Sequence, residues 1–93
     1  MNTGNPVKVY VHVNVSFDRT GHMVPRFITW EDGKRYEIEK VTDIRPAPAL
    51  KAGGRGDRYT IWINGQRSYV YFERFPIENT SVVGRWFVER KGA

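Results

Sequence analysis

The chain has 93 residues, with 15 Lys and Arg against 10 Asp and Glu, 40% hydrophobic and 14% aromatic residues, and no cysteine. A length of this order makes one small domain burying roughly 60 to 65% of the surface its unfolded chain exposes, which leaves little sequence for an elaborate pocket. The missing cysteines exclude disulfides, thiolate nucleophiles and Cys-ligated metal sites, and they fit a reducing compartment.

The segment Met1 to Pro6 is polar and turn-forming, and no apolar run approaches the roughly 18 to 20 residues of a membrane span. An intact, cytoplasmic chain with no membrane partner is therefore expected. Residues 1–50 carry seven bases and six acids, and residues 51–93 carry eight and four, so the net charge of +5 leans toward the second half. Ten of the fifteen bases are Arg, whose planar fork suits phosphate, carboxylate and aromatic faces.

Val7, Val9, Val11, Val13, Val15 and Phe17 alternate with Lys8, Tyr10, His12, Asn14 and Ser16. That period of two, carried by β-branched residues, predicts an antiparallel strand with one buried face. Residues 18–22 read as a turn, and Pro25 opens a second strand through Trp30, where a proline does not interrupt a ladder. Asp32-Gly33 then predicts a hairpin into a third strand from Arg35 to Arg45. Its apolar parity slips from Tyr36 and Ile38 to Val41 and Ile44, as a β-bulge near Glu39 and Lys40 would produce.

Residues 46–57 contain two prolines and three glycines with no periodicity, and predict a flexible basic loop. Beyond it, Arg58 to Asn64 and Gln66 to Phe72 flank Asn64-Gly65, a second hairpin signal. A breaker region from Pro76 to Gly84 leads to a closing strand at Arg85 to Arg90, with Trp86 and Val88 on one side and Phe87 on the other. About six strands and no long amphipathic helix predict an all-β, small antiparallel barrel over residues 7–90 of a single domain spanning 1–93. An SH3-like barrel is the first expectation and an OB-like barrel the alternative. Trp30 and Trp86 are expected in the core.

Catalysis has little to draw on, and no cofactor or metal is expected. His12 and His22 read as solvated, and Glu37 and Glu39, on one parity, are flanked by Arg26, Arg35 and Lys40 as an ordinary charged face. The segment Gly53-Gly54-Arg55-Gly56-Asp57-Arg58 lacks the Gly-Lys-Ser/Thr ending and following helix of a phosphate loop, and reads as a basic finger or a plain connector.

The Arg58 to Glu73 hairpin is the more informative surface. With a two-residue Asn64-Gly65 turn, Arg58, Thr60, Trp62, Arg67, Tyr69 and Tyr71 share one face, while Tyr59, Ile61, Ile63, Ser68, Val70 and Phe72 share the other. The first face interleaves aromatics with arginines, as single-stranded nucleic-acid binders do. A three-residue loop with a Gly65 bulge would instead bring Tyr69 and Tyr71 onto the face of Tyr59 and Ile61. Both registers remain open at this level.

Pro25-Arg26-Phe27-Ile28-Thr29-Trp30, then Gly33-Lys34-Arg35-Tyr36-Glu37-Ile38, Arg58-Tyr59-Thr60 and Trp86-Phe87-Val88-Glu89 complete the pattern. Across most of residues 25–90 the chain resembles a group of small uncharacterised bacterial proteins with Pro-Arg-x-Phe/Ile-x-Trp, a Gly-Arg/Lys turn, an aromatic-led strand and a closing Trp strand. The resemblance implies a small β-fold and brings no catalytic residue.

The functional expectation is thus a noncatalytic bacterial domain that binds nucleic acid, single strands foremost. Lys51, Arg55, Arg58, Arg67 and Arg74 would contact phosphate, and Trp62, Tyr69 and Tyr71 would stack on bases. The rival readings are a protein-interaction module with an acidic or proline-containing partner, and a homodimer built on the Val7 to Phe17 strand.

Overall fold

The computed structural model describes residues 6–48, 55–75 and 83–91. They form eight strands: β1 (Pro6–Tyr10), β2 (His12–Phe17), β3 (Met23–Thr29), β4 (Arg35–Glu37), β5 (Lys40–Pro48), β6 (Arg55–Ile63), β7 (Gln66–Arg74) and β8 (Gly84–Lys91). All pairings are antiparallel, in a five-stranded sheet ordered β1-β8-β7-β6-β5 and a three-stranded sheet ordered β2-β3-β4. The all-β class is as the alternation predicts, and the ladders of the described residues make two sheets with no closed barrel.

Eight strands replace the expected six or so because two long strands break and serve both sheets. The valine-rich strand breaks at Val11, whose N–H donates to the Trp86 carbonyl at 3.1 Å. Val9 is buried, and Val11, Val13 and Val15 pack on the core, so the period of two passes through the break, whereas Val7 and Phe17, expected on the same buried face, are 45% and 67% exposed at the two ends where the opposite sheet no longer covers them. The second break lies at Ile38 and Glu39. Ile38 donates to the Arg26 carbonyl in the smaller sheet and Glu39 to the Trp62 carbonyl in the larger, both at 2.8 Å. Adjacent residues thus bond to opposite sheets, and the register shift between Val41 and Asp43 follows at once. The expected parity slip is therefore divided between a sheet-to-sheet crossing and an irregularity two residues later.

Pro25 lies third in β3 rather than at its start. It faces Val15 on one side, and β4 pairs with β3 only from Phe27 onward, so the proline has no ladder partner there to deprive of a donor. Residues 46–48 and 55–57, expected as loop, pair as the outer ends of β5 and β6, with Ala47 opposite Gly56. The rest of that expected loop, including Lys51, lies outside the described residues.

The core lies between the sheets. Ile61 and Val70 are 0% exposed, joined by Ile28, Ile38, Tyr59, Phe72 and Trp86. Trp86 packs at 4.9 Å from Phe72 and 5.1 Å from Tyr59, so it is a core residue as expected, whereas Trp30 is half-buried. Where β3 and β5 face each other without pairing, a cleft of about 320 Å³ opens beside Pro25, Ile44 and Tyr59.

Candidate nucleic-acid interface

Asn64 and Gly65 have φ of 52° and 74°, both in the left-handed region that a type I′ turn demands. The Gly65 N–H is further held by the Glu39 carboxylate at 3.2 Å. This two-residue turn fixes the register: Trp62 faces Arg67, Thr60 faces Tyr69 and Arg58 faces Tyr71. Tyr59, Ile61, Val70 and Phe72 consequently point into the core, and Arg58, Thr60, Trp62, Arg67, Tyr69 and Tyr71 point away from it.

The neighbouring strands extend this outer face. One row across the sheet reads Tyr10, Phe87, Tyr71, Arg58 and Arg45, and beside it Tyr69, Thr60 and Asp43 form a second, with Arg67, Trp62 and Lys40 as a third. The first row is packed upon itself. Tyr71 stacks parallel to Phe87 at 4.9 Å, Tyr10 meets the same ring edge-on at 5.9 Å, and Lys8 lies 4.8 Å above it. Phe87 is thereby buried although its side of the sheet is the solvent side. Burial raises the Tyr71 phenol above its ordinary range and the neighbouring Glu89 reinforces this, so the hydroxyl stays protonated and donates to Glu89 at 3.1 Å.

Tyr71 is therefore half-buried and committed to Phe87. Tyr69 is 37% exposed, and with half-buried Trp62 it supplies the aromatic surface that can be reached. Thr60 is only 7% exposed because the taller Arg58, Trp62, Tyr69 and Asp43 surround it.

The charges of this face divide in two. Lys8 and Arg85 share Glu73 at 3.2 and 3.8 Å, and Arg45 pairs with Asp43 at 2.7 Å. Burial pushes the Glu73 carboxyl up, but hydrogen bonds from Tyr10 and Lys8 outweigh it and hold the group below its ordinary range. Lys40, Arg58 and Arg67 have no carboxylate partner among the described residues. Lys40 lies 5.0 Å from the Trp62 ring and Arg58 4.7 Å from the Tyr69 ring, while the buried Arg58 Nε has no hydrogen-bond acceptor among the described residues. Two accessible aromatics and three uncompensated cations thus share one surface. Such a surface can stack bases and neutralise phosphates.

Of the residues expected at the site, Arg58, Trp62, Arg67, Tyr69 and Tyr71 come together, the last as support. Arg74 does not join them. It shares the parity of Phe72 and forms an ion pair with Asp57. Arg55 pairs opposite Arg74 in the β6–β7 ladder, and Lys51 is outside the described residues. Lys40, which no local pattern assigns to this face, reaches the site only through the long-range pairing of β5 with β6. The Val7 to Phe17 segment, expected as a dimer edge, supplies one edge of each sheet through β1 and β2.

His22, expected to be solvated, is exposed but tied into its turn. Its Nδ1 lies 2.8 Å from Thr20 Oγ1 and 3.2 Å from Asp18 Oδ2, and Asp18 Oδ1 accepts from the Thr20 and His22 N–H groups. Both side-chain contacts converge on one ring nitrogen, so Asp18, Thr20 and His22 brace one turn. Among the described residues no three His, Cys, Asp or Glu side chains group as a metal site would require, and no helix is long and apolar enough to cross a membrane. No protein-family model, curated protein or solved structure matches the chain.

Proposed function

We propose that the protein is a noncatalytic nucleic-acid-binding module that holds single strands on the outer face of its five-stranded sheet. The reading rests on the hairpin register, which sets Trp62 and Tyr69 beside three cations that lack carboxylate partners among the described residues. Bases stack on any accessible π-face, and that contact is available only where bases are not already paired, so single strands are favoured over duplex. Arg58 and Arg67 would neutralise phosphates, with Lys40 beside them. The kinked strands that pass between the sheets at Val11 and at Ile38 and Glu39 support an SH3-like architecture whose ladder is open, since each serves two sheets as strands of small barrels do.

The test is fluorescence anisotropy with labelled single-stranded and duplex oligonucleotides. Single strands should bind more tightly, and Trp62→Ala should weaken single-strand binding by about tenfold or more, as loss of one stacked base does. Equal affinity of the folded Trp62→Ala protein for single strands would remove Trp62 from the site. Binding of an acidic peptide in place of any oligonucleotide would convert the face into a protein-docking surface.

A further inference from the structure

Beside the platform, the sheet splits. β6 and β7 pair down to Ile63 and Gln66, but β7 and β8 pair only from Arg74 and Gly84 to Tyr71 and Phe87. Beyond that point β8 continues with β1, and the 66–70 segment of β7 has no ladder on its β8 side among the described residues. Because Ile63 and Gln66 close the two-residue turn as a hydrogen-bonded pair, alternation directs the N–H and C=O of Tyr69 toward the split. The cleft measures about 310 Å³, at the small end of the roughly 300 to 1,000 Å³ of small-molecule sites. Trp30, Tyr36, Ile63 and Val88 are among the residues that line it, together with Tyr69 and Glu89.

We propose that this cleft takes one base splayed out of a strand lying on the platform, and that it prefers guanine. The proposal rests on the nucleic-acid reading of the same face. A flat aromatic ligand suits a cleft whose lining includes the rings of Trp30 and Tyr36. Glu89 supplies the selectivity. Its Oε1 already accepts the Tyr71 hydroxyl at 3.1 Å, which orients the carboxylate, and it has no cationic partner among the described residues. A carboxylate only accepts hydrogen bonds. Guanine alone offers two adjacent donors, N1–H and the N2 amino group, on its Watson–Crick edge. Cytosine and adenine set one amino group beside a ring acceptor, and thymine and uracil set one N–H between two carbonyls, so each faces the carboxylate with repulsion. A negative charge here would otherwise only oppose phosphate binding next to Arg58 and Arg67.

The experiment compares the affinity of short oligo-dT strands carrying a single central dG, dA or dC with that of plain oligo-dT, for the native protein and for Glu89→Gln. In parallel, guanosine and uridine monophosphates are titrated while the Trp30 indole signal is followed by NMR. The native protein should prefer the dG strand by about tenfold, as one bidentate base contact does. Glu89→Gln should reduce that preference to under about twofold, while plain oligo-dT binds the variant no more weakly than the native protein, because the change removes a charge that opposes phosphate and takes away none of the cations. The Trp30 signal should move with guanosine monophosphate in the native protein and not in the variant. Oligo-dT binding without a dG preference, or a preference that survives Glu89→Gln, overturns the base site and leaves the platform standing. A Trp30 shift without any strand binding supports the cleft and overturns the platform, and silence in both assays overturns both.

Discussion

Under the proposed function, ionic strength offers a direct reading of how many phosphates this face would neutralise. Of the bases on the outer face, Lys8, Arg45 and Arg85 already have carboxylate partners, whereas Lys40, Arg58 and Arg67 have none among the described residues. Three phosphate contacts on a single strand give a slope of log affinity against log salt of about −2, so affinity should fall roughly 20-fold between about 50 and 200 mM salt. Arg67→Ala removes one contact. The slope should shrink to about −1.4 and the loss over the same range to roughly sevenfold, with weakening of similar size for any strand sequence. The assay is fluorescence anisotropy of a labelled oligo-dT strand across that range. Arg74→Ala is the built-in control, because its guanidinium is engaged by Asp57 on the other parity of β7 and should leave the slope at about −2. An Arg67→Ala slope equal to the native one, or an Arg74→Ala slope that falls instead, would refute this assignment of cations.

Three further predictions concern the fold that carries the site. Gly84→Ala should destabilise the protein by roughly 1 to 3 kcal/mol and lower Tm by about 5 to 20 °C in calorimetry, because the added methyl would meet the Glu73 carbonyl and lie 2.6 Å from Phe72 Cζ; an unchanged Tm would mean that β8 can shift away from β7 at little cost. Ile61→Ala, at a position with 0% exposure between the sheets, should cost about 2 to 5 kcal/mol by urea unfolding, a large part of the total for a chain of this size. A cost below about 1 kcal/mol would show the core collapsing into the gap. The Asp18 carboxyl is held down to about 2 from 3.8, chiefly by the His22 N–H and then the Thr20 hydroxyl. Since the folded-state value is the lower one, its contribution to the turn is present in full above about pH 4 and lost as pH falls through about 2. Carboxyl titration by NMR reads this, and a midpoint near 4 would contradict the turn's hydrogen bonding.

The local features of this protein were legible in its residues because each has a local cause. Alternation turned Val9, Val11, Val13 and Val15 inward, Asp32-Gly33 and Asn64-Gly65 made the hairpins, and the hairpin parity sorted Ile61 and Val70 inward and Trp62 and Arg67 outward. Even so, the sequence left two registers open. Only the left-handed φ of both Asn64 and Gly65 in the folded hairpin selected the one that keeps the aromatics together.

What the tertiary structure decided are relations between residues far apart in the chain. Val11 and the Ile38-Glu39 pair became crossings between sheets because their hydrogen bonds go to Trp86, Arg26 and Trp62, partners that no local pattern names. Lys40 entered the site through its pairing with Trp62, while Arg74 left it through Asp57. Tyr71 became support because β8 stacks Phe87 against its ring, and the same strand's divergence beyond Phe87 opens the cleft that Glu89 lines. A period of two tells each side chain which face of its sheet it occupies, but which groups meet it there is set by strand order, and strand order is fixed by burial of the whole core at once.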